Sequence, residues 1–440
     1  MTPTSRREFL KQTGTGLAVT AAAAWVGEAA ARDANDRPTV AVIGTGGMGG
    51  AHVNQLAGNA AVDLAYVCDV DSDRLAASAQ AVENLSGRKP QAVTDLRRVL
   101  DDPAVDAVWI ATPDHWHGPA AILACAAGKH VYVEKPCAHN LREGRLMIEA
   151  ARSIGRTMQV GTQSRSTQHV MQAVARLREG VIGEVLVSKA WNSQRRGNIG
   201  HSEPSSPPAN LEYDQWIGPA PMVEYRANML PGIWRWWHAF GSGDMGNDGV
   251  HDLDIARWGL GVETHPSTIA ALGGKFFFDD DQQFPDTQYV VFEYPGDGQV
   301  GHKKQLVFEQ RIWSPYVQEG YENGNAFYGT EGVMILGKSG RYDVFGPKNK
   351  LIETVTGTPP DLAAHHADFL DAIQSGRQPH ADIEINHLSS ALCHLGNIAT
   401  RVGRIVHFDP QTEQVSGDDE AASLVRRQYR DGHWAVPQGV

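Results

Sequence analysis

The stretch VAVIGTGGMG, residues 40–49, joins a four-residue apolar run to a G-x-G-x-x-G motif. The apolar run predicts a buried strand and the residues from Gly47 onward an amphipathic helix, so the glycines lie in a strand-to-helix turn. There Gly44 permits the tight bend, Gly46 lets the backbone approach a pyrophosphate, and Gly49 lets the helix pack closely on the strand. The residues predicted to bind a dinucleotide are Gly44, Thr45, Gly46, Gly47, Met48 and Gly49.

In a chain with 46 glycines the motif alone is a weak signal, and a plain glycine-rich turn is the alternative. Asp69 strengthens the prediction because it follows a second apolar strand, 69 − 49 = 20 residues beyond Gly49. A carboxylate there binds both ribose hydroxyls and repels a 2′-phosphate, which favours NAD over NADP. Arg74 lies close by in the sequence and leaves NADP as an alternative cofactor.

Strands and helices alternate from residue 38 to residue 160, which predicts a doubly wound parallel sheet, a Rossmann domain. After about residue 160 the predicted strands are longer and are separated by Gly, Pro and Asp turns. This change predicts a second, α+β domain over residues 161–440 with a large, mostly antiparallel and open-faced sheet. A sheet with one uncovered face usually finds a partner, so we expect a homo-oligomer.

The first 31 residues have the pattern of an export signal. SRREFLK at residues 5–11 precedes a small-residue apolar run at 14–26 and three alanines at 29–31, as in a bacterial twin-arginine signal peptide. The pattern predicts a periplasmic or secreted protein that the twin-arginine export machinery carries in folded form. The apolar run is short for a membrane span, so no stable membrane anchor is expected. A formal net charge of −12 argues against a nucleic-acid partner.

Two further predicted strands end in polar motifs, TPDHWH at residues 112–117 and EKP at 134–136. Ligands of open α/β sheets bind at the carboxyl ends of the strands, so both motifs are expected in the nucleotide crevice. For Lys135 alone, a solvated surface lysine is the alternative. The histidines lack a third ligand at metal-site spacing, so no metal is predicted. The residues predicted to contact the cofactor are Thr112, Pro113, His115, His117, Glu134 and Lys135.

Together with GSGDMGNDGVHDLD at residues 241–254, these motifs resemble the glucose–fructose oxidoreductase, inositol dehydrogenase and rhizopine catabolism (Gfo/Idh/MocA) family. The resemblance implies that Lys135 contacts the substrate hydroxyl and the nicotinamide, and that His251 acts as acid and base. Asn247 departs from the aspartate that dehydrogenase members carry there, which puts a proton relay through this position in doubt. Asp248 is adjacent, and Asp254, one helical turn after His251, is a candidate to orient the imidazole.

The segment WRWWH at residues 234–238 is the main indication of the substrate. Indoles stack on the apolar faces of sugar rings, and Arg and His contact hydroxyls, so we expect a carbohydrate; packing in a core is the alternative. The residues predicted to bind substrate are Gln163, Arg165, Trp191, Trp234, Trp236, Trp237, His238, Asn247, Asp248 and Asp254.

Three functions fit these motifs. The first is an NAD(P)-dependent dehydrogenase of a sugar, polyol or sugar derivative, with tightly bound cofactor because free NAD is scarce outside the cytosol. The second is a redox-neutral glycosidase or lyase that oxidises a sugar carbon transiently. The third, a non-catalytic nucleotide-binding module, is disfavoured because Lys135 and His251 are both present.

Overall fold

The structure is a computed structural model that describes residues 37–440. The predicted signal peptide at residues 1–31 lies outside the described residues. Within them, no helix is both long enough and apolar enough to cross a membrane. The four cysteines are free and buried.

The first half of the described chain forms a six-stranded parallel sheet in the order β3-β2-β1-β4-β5-β6. Its strands are β1 (Thr39–Ile43), β2 (Asp63–Cys68), β3 (Gln91–Val93), β4 (Ala107–Ile110), β5 (His130–Val133) and β6 (Met158–Val160). The helices between them are α1 (Gly47–Ala57), α2 (Ser72–Ser86), α3 (Arg97–Leu100), α4 (Asp114–Ala126) and α5 (Leu141–Ser153). The strand order reverses between β1 and β4, so the sheet has a crevice at the carboxyl ends of its central strands.

The central strands are apolar throughout because helices cover both faces of this sheet. Val40, Ala41 and Val42 in β1 and every residue of β4 are fully buried. Two of the helices begin at side-chain caps: Asp71 accepts from the amides of Asp73 and Arg74 at the start of α2, and Asn140 accepts from the amide of Glu143 at the start of α5. Local sequence therefore fixes this half of the fold.

The second half forms a ten-stranded mixed sheet in the order β14-β13-β12-β11-β7-β10-β9-β8-β15-β16. Its strands are β7 (Val185–Asn192), β8 (Thr268–Gly274), β9 (Thr287–Tyr294), β10 (Lys304–Arg311), β11 (Asn323–Gly329), β12 (Val333–Leu336), β13 (Arg341–Gly346), β14 (Lys350–Thr356), β15 (Val406–Asp409) and β16 (Gln414–Ser416). Its helices are α6 (Gln168–Arg178), α7 (Tyr213–Ile217), α8 (Val250–Leu260), α9 (Leu362–Ser375), α10 (Ile383–Val402) and α11 (Asp419–Ser423). The pairing is antiparallel except between β7 and β10. The predicted fold class is confirmed, whereas the boundary at residue 160 stays a prediction.

Helices α6, α8 and α10 cover one face of the large sheet, where Leu253, Phe292 and Leu392 are fully buried in one core. On the opposite face, large apolar side chains of three strands are exposed, namely Leu272, Tyr289 and Tyr328. The register places Leu272 directly opposite Tyr289, so these exposed side chains are neighbours. The predicted open face is therefore present, while the homo-oligomer that it suggests stays a prediction.

Candidate active site

A cleft of about 720 Å³ opens at the carboxyl ends of β1, β2, β4 and β5. The glycine turn, the ends of these strands and a segment of the second domain form its walls. The predicted residues that line it are Gly44, Gly46, Gly47, Met48, Asp69, Thr112, Pro113, His117, Glu134, Lys135, Trp234 and Asn247. The structure therefore brings the separately predicted motifs together at one site.

The glycine turn has the shape that a dinucleotide needs. Gly44 has φ +84°, and a Cβ there would lie 2.7 Å from the carbonyl oxygen of Ala111. A Cβ on Gly49 would lie 1.9 Å from the carbonyl oxygen of Gly44, so this glycine serves close packing and does not line the cleft. A Cβ on Gly47, at the first position of α1, would meet no atom within 4 Å. The free amides at the start of α1 thus adjoin open space suited to phosphates.

Asp69 lines the cleft at the end of β2. Its Oδ2 accepts from the amide of Thr45 at 2.7 Å and from the Thr45 hydroxyl at 3.1 Å, which fixes the carboxylate against the glycine turn. Thr45 therefore acts through Asp69 and does not itself line the cleft. Arg74 also lines the cleft and lies against Gly46, because a Cβ on that glycine would be 2.4 Å from Arg74 Nη1. A positive charge is thus present beside the residue that favours NAD.

Lys135 is half-buried in the cleft and is not a solvated surface residue. Its ammonium donates to the carbonyl oxygen of Asn247 at 2.6 Å, which joins the end of β5 to the second domain. An ammonium has three N–H donors, so two remain for a ligand. The hydroxyl of Thr112, at the end of β4, is buried without a hydrogen-bond partner and is a second group available to a bound molecule.

Glu134 belongs to a buried chain of hydrogen bonds that the sequence did not predict. His52 Nε2 donates to Glu134 Oε1 at 3.1 Å, and His52 Nδ1 accepts from His366 Nε2 at 2.9 Å. Burial opposes ionisation of Glu134, but the hydrogen bond from His52 and the charge of Lys135 outweigh it and lower its pKa to about 2. The only sequence signal was a histidine on the buried face of α1. A fixed carboxylate therefore adjoins Lys135.

His251 is half-buried near the start of α8 and is not among the residues that line the cleft. Burial, together with the charges of Lys135 and Lys338, lowers its pKa to about 3, against the opposite influence of Asp248 and Glu134. The imidazole is therefore neutral at physiological pH, which is the protonation state of a general base.

This lowered pKa predicts the pH dependence of turnover. A free histidine would lose half of its neutral form near pH 6.5, whereas His251 stays neutral until the pH falls toward about 3. We therefore expect kcat/KM to show no acid limb near pH 6.5 when it is measured between pH 5 and 8, with folding checked by circular dichroism. An acid limb near pH 6.5 that disappears in His251→Ala would contradict this neutral environment.

Asn247, where the family resemblance implies an aspartate, donates through Nδ2 to Asp244 Oδ1 at 2.8 Å. Asp244 is fully buried and also accepts from Asn192 Nδ2 at 2.8 Å, while Arg196 Nη2 lies 3.0 Å from Oδ1. A negative charge is thus present one turn before Asn247, held by an arginine and two amides. Sequence reasoning missed Asp244, although it lies within the segment that carries the family resemblance.

Asp248 is not among the residues that line the cleft, and its contact with substrate stays a prediction. Its carboxylate accepts from Asn323 Nδ2 at 2.6 Å and from Lys338 Nζ at 3.0 Å. Although burial opposes ionisation, Lys338 holds the pKa of Asp248 well below its usual range. Asp248 therefore places a negative charge near His251, which raises the pKa of the imidazole.

Arg165 and Asp254 were predicted to bind substrate, but the structure pairs them with each other. Arg165 Nε and Nη2 each donate to one oxygen of Asp254 at 2.8 Å, and Ser389 donates to Oδ1 at 2.6 Å. Both side chains are almost fully buried away from the cleft. Asp254 therefore does not orient His251, because Arg165 and Ser389 occupy both of its oxygens.

This buried pair predicts a large effect on stability. We expect Asp254→Asn to lower the free energy of unfolding by about 3–5 kcal/mol, because Arg165 would keep a buried charge without its counter-ion. Urea unfolding followed by circular dichroism measures the difference. Asp63→Asn is the matched control, since Asp63 pairs with Arg88 at the surface and is expected to cost less than about 1 kcal/mol. Equal losses in the two variants would contradict this role.

Other predicted contacts are made with the protein itself. His115 is buried, and its Nε2 donates to the carbonyl oxygen of Trp216 at 2.9 Å; burial and Arg427 lower its pKa to about 3. Trp191 is buried in the second domain, where its indole donates to the carbonyl oxygen of Tyr321 at 3.1 Å. Gln163 donates to Tyr132 and Glu134, behind the cleft lining. These three side chains are thus engaged with the protein itself, and their contacts with ligands stay predictions.

The WRWWH segment divides between cleft and core. Trp234 and Arg235 line the cleft, and Arg235 Nε is buried without a hydrogen-bond partner. Trp236 and Trp237 are buried in an aromatic cluster, and the ring of His238 packs on Phe284 with centroids 4.3 Å apart. The core alternative therefore applies to the last three residues, because a short helical turn can present only part of its surface to the cleft.

One group of described residues outside the cleft has the composition of a metal site. Ligand atoms of His265, His387 and Glu413 lie within 4.8 Å of one another. Both histidines lie 2.8 Å from Glu413 Oε1, and Arg145 pairs with the same carboxylate. Glu413 has φ +53° in the turn between β15 and β16. The arginine already provides the counter-ion, so this network fixes the turn.

These observations define a two-domain α/β protein of the dinucleotide-binding class, with a lysine at the ligand end of its sheet. The chain belongs to the Gfo/Idh/MocA oxidoreductase family. The model of the family's NAD-binding Rossmann fold matches residues 39–162, and that of its C-terminal alpha/beta domain matches residues 182–298 and 319–436. The predicted family and NAD-binding domain are confirmed.

Curated relatives include dehydrogenases of sugars and polyols. The chain is 27% identical over 301 residues to scyllo-inositol 2-dehydrogenase (NAD⁺) of Bacillus subtilis, covering 68% of this chain and 73% of the relative. It is 30% identical over 169 residues to levoglucosan dehydrogenase of Pseudarthrobacter phenanthrenivorans, covering 38% of this chain and 36% of that protein. It is also 28% identical over 187 residues to a glycosyl hydrolase family 109 protein of Shewanella sp. MR-4, covering 36% and 41%.

Solved structures share the fold over nearly their whole length. Levoglucosan dehydrogenase in complex with NADH superimposes with a TM-score of 0.64 at 20% identity, covering 84% of this chain and 99% of that chain. Aldose-aldose oxidoreductase of Caulobacter crescentus, in complex with glycerol, superimposes with a TM-score of 0.63 at 19% identity, covering 85% and 100%. At this identity the likeness concerns the fold.

Proposed function

We propose that the protein is an NAD-dependent oxidoreductase that acts on a sugar, polyol or sugar derivative and holds its cofactor tightly. The observation that carries the proposal is the ammonium of Lys135, which lies in the cleft 2.6 Å from the Asn247 carbonyl and keeps two donors for a ligand. The bound nicotinamide supplies the hydride acceptor. The sugar or polyol dehydrogenases among the relatives support the substrate class.

Lys135 in the cleft, together with His251 outside the cleft lining, can supply the groups that oxidation of a carbinol requires. Lys135 donates to the substrate hydroxyl and stabilises the alkoxide that develops on its oxygen. His251, neutral at physiological pH, accepts the hydroxyl proton once substrate is bound. Asn247 has no carboxylate to receive that proton further, but Asp244 behind it orients the amide. The proton therefore stays on the imidazole until it returns to a substrate or leaves to water.

Trp234 and Arg235 supply the contacts for the sugar. Trp234 presents a half-buried indole to the cleft, and the guanidinium of Arg235 lies 5.5 Å from its ring centroid. An indole face stacks on the C–H face of a sugar ring, while the unpartnered Nε of Arg235 is available to a hydroxyl. This combination of an apolar wall and a fixed donor suits a carbohydrate better than an apolar substrate.

A redox-neutral glycosidase or lyase is the second candidate, favoured by the match to a glycosyl hydrolase family 109 protein. In this reaction a carbinol carbon of the sugar is oxidised to a ketone, which acidifies the neighbouring C–H. A base removes that proton, the glycosidic oxygen departs with its electron pair, water adds, and the ketone is reduced again. No electrons are gained or lost overall, so the enzyme needs no fresh cofactor.

The sequence of residues 1–31 leads us to propose export to the periplasm or medium by the twin-arginine machinery. A protein that is exported in folded form can carry its cofactor already bound. If the bound NAD is reduced and reoxidised within the same site, it need not be exchanged for free NAD. We also propose a homo-oligomer that buries the apolar sheet face around Leu272 and Tyr289. Fractionation of the native producer and light scattering of the purified protein test these two proposals.

One experiment separates the two activities. The purified protein is desalted and its bound nucleotide is identified by mass; polyols and free sugars are then supplied with and without NAD⁺, and nitrophenyl glycosides without NAD⁺. Growth of absorbance at 340 nm with polyols or sugars supports the dehydrogenase, whereas release of nitrophenol without added NAD⁺ supports the redox-neutral enzyme. Failure to bind any nicotinamide nucleotide would overturn both.

A further inference from the structure

The last residues of the chain form an anchored segment across the Rossmann domain, here called the C-terminal strap, residues 427–440. Arg427 donates to Glu143 Oε1 at 2.8 Å and to the carbonyl oxygen of His115 at 2.7 Å. At the other end, Arg142 donates to the carbonyl oxygen of Gly439 at 2.8 Å. Glu143 is fully buried, so the first anchor is a desolvated ion pair. The strap is thus attached on both sides of its centre.

Trp434 lies between these anchors and lines the cleft together with His433. The Trp434 side chain is 43% exposed, which is unusual for a tryptophan in a segment whose two ends are hydrogen-bonded to the Rossmann domain. The guanidinium of Arg97 lies 4.6 Å from its ring centroid, and the ring of Trp116 lies 5.9 Å away. Arg97 is itself held by Asp95. An indole is therefore fixed in the cleft with much of its surface free.

The position of Trp434 identifies the part of a dinucleotide that it would meet. Arg97 follows β3, and Asp69 follows β2, so this end of the cleft lies on the side of the sheet opposite to Lys135 on β5. A carboxylate after β2 takes the ribose of the adenosine half in this type of site. The adenine next to that ribose is consequently directed toward the wall that contains Trp434 and Arg97.

We propose that Trp434, carried by the C-terminal strap, stacks on the adenine of the bound dinucleotide and slows its release. Stacking on an aromatic ring suits adenine because the base offers a π face, and it typically strengthens binding about 10- to 100-fold. The guanidinium of Arg97 lies over the indole, 4.6 Å from its centroid, and helps to fix the ring. The glycine turn, near the start of the described residues, and the C-terminal strap, at their end, would therefore both contact the nucleotide. The inference rests on the nucleotide binding in the proposed function and deepens it.

The test compares ligands that contain adenosine with one that lacks it. Dissociation constants of Trp434→Ala are measured by calorimetry for NAD⁺, ADP-ribose and nicotinamide mononucleotide. We expect binding of NAD⁺ and ADP-ribose to weaken about 10-fold or more, with nicotinamide mononucleotide unchanged. The fraction of NAD retained after repeated buffer exchange is expected to fall in parallel. Trp434→Phe, which keeps a π face, is expected to retain most of the affinity.

Tyr316→Ala is the matched control, because Tyr316 is an exposed aromatic residue outside the cleft. If Trp434→Ala does not fold, Trp434→Leu is compared in the same way, since it keeps apolar bulk without a π face. Unchanged affinity for NAD⁺, or equal weakening for all three ligands, would overturn the inference. These measurements need no turnover. If the wild-type protein binds NAD⁺ but oxidises no sugar, the proposed activity is refuted, whereas the inference about Trp434 is not.

Discussion

Replacement of Lys135 by alanine is expected to lower kcat about 10³-fold or more while leaving NAD bound. The ammonium lies at the end of β5 in the cleft and donates to the carbonyl oxygen of Asn247 at 2.6 Å. Removal of one donor that stabilises a developing oxyanion costs about 10²- to 10³-fold, and loss of substrate orientation adds to this. The glycine turn and Asp69, which hold the nucleotide, are unchanged in this variant.

The measurement for Lys135→Ala is turnover under whichever assay detects the wild-type enzyme, together with the nucleotide content of the desalted protein. Lys89→Ala is a matched control because Lys89 also precedes a proline but is exposed and does not line the cleft. We expect this control to keep wild-type turnover. Substantial turnover in Lys135→Ala would refute the proposed role, whereas loss of bound NAD would show that Lys135 serves binding instead.

Replacement of His251 by alanine is expected to lower kcat by about 10²- to 10⁴-fold, the usual contribution of a positioned general base. The imidazole is neutral because burial and Lys135 lower its pKa to about 3, although it does not itself line the cleft. His117 lines the cleft, but its ring nitrogens face the carbonyl oxygens of Pro136 and Thr112 at 2.7 and 2.8 Å. It is therefore a fixed part of the wall.

Chemical rescue distinguishes a base from a packing residue in His251→Ala. Added imidazole is expected to restore part of the activity of this variant if the missing group only transfers a proton. His407→Ala provides the control, since His407 is exposed on β15. Wild-type kcat in His251→Ala would refute its role as the base. If His251→Ala lowers only the stability of the protein, and kcat returns to the wild-type value at lower temperature, His251 has a packing role.

Some of the site could be predicted from sequence because the relevant groups are fixed by the backbone near them. The glycine turn, Asp69 and Lys135 each follow a strand, and the ends of parallel strands meet at one edge of a sheet. Their positions at the carboxyl ends of strands were therefore enough to predict that they lie in one cleft. Arg165 follows β6 and Trp191 lies near the end of β7, yet neither lines the cleft, because a position near a strand end does not say which face the side chain takes.

The second domain was less accessible to sequence reasoning. Strands β11 to β16 were not predicted, since several are short and their pairing joins distant segments. Asp254 is an example. Helical spacing predicted that it lies one turn from His251 and orients it, but its carboxylate instead accepts hydrogen bonds from Arg165 and Ser389. Competition between partners is settled by tertiary packing, which the spacing of residues along one helix does not contain.

The sequence by itself determined the Rossmann half of this protein and its nucleotide turn, because glycine sterics, strand apolarity and helix caps act between neighbours in the chain. Tertiary structure alone decided which polar residues face the cleft, that Asp244 stands behind Asn247, and that His52 holds Glu134. It also brought Trp434 beside Arg97 from the far end of the chain. Such contacts arise from chain folding over long separations, where no local rule fixes orientation.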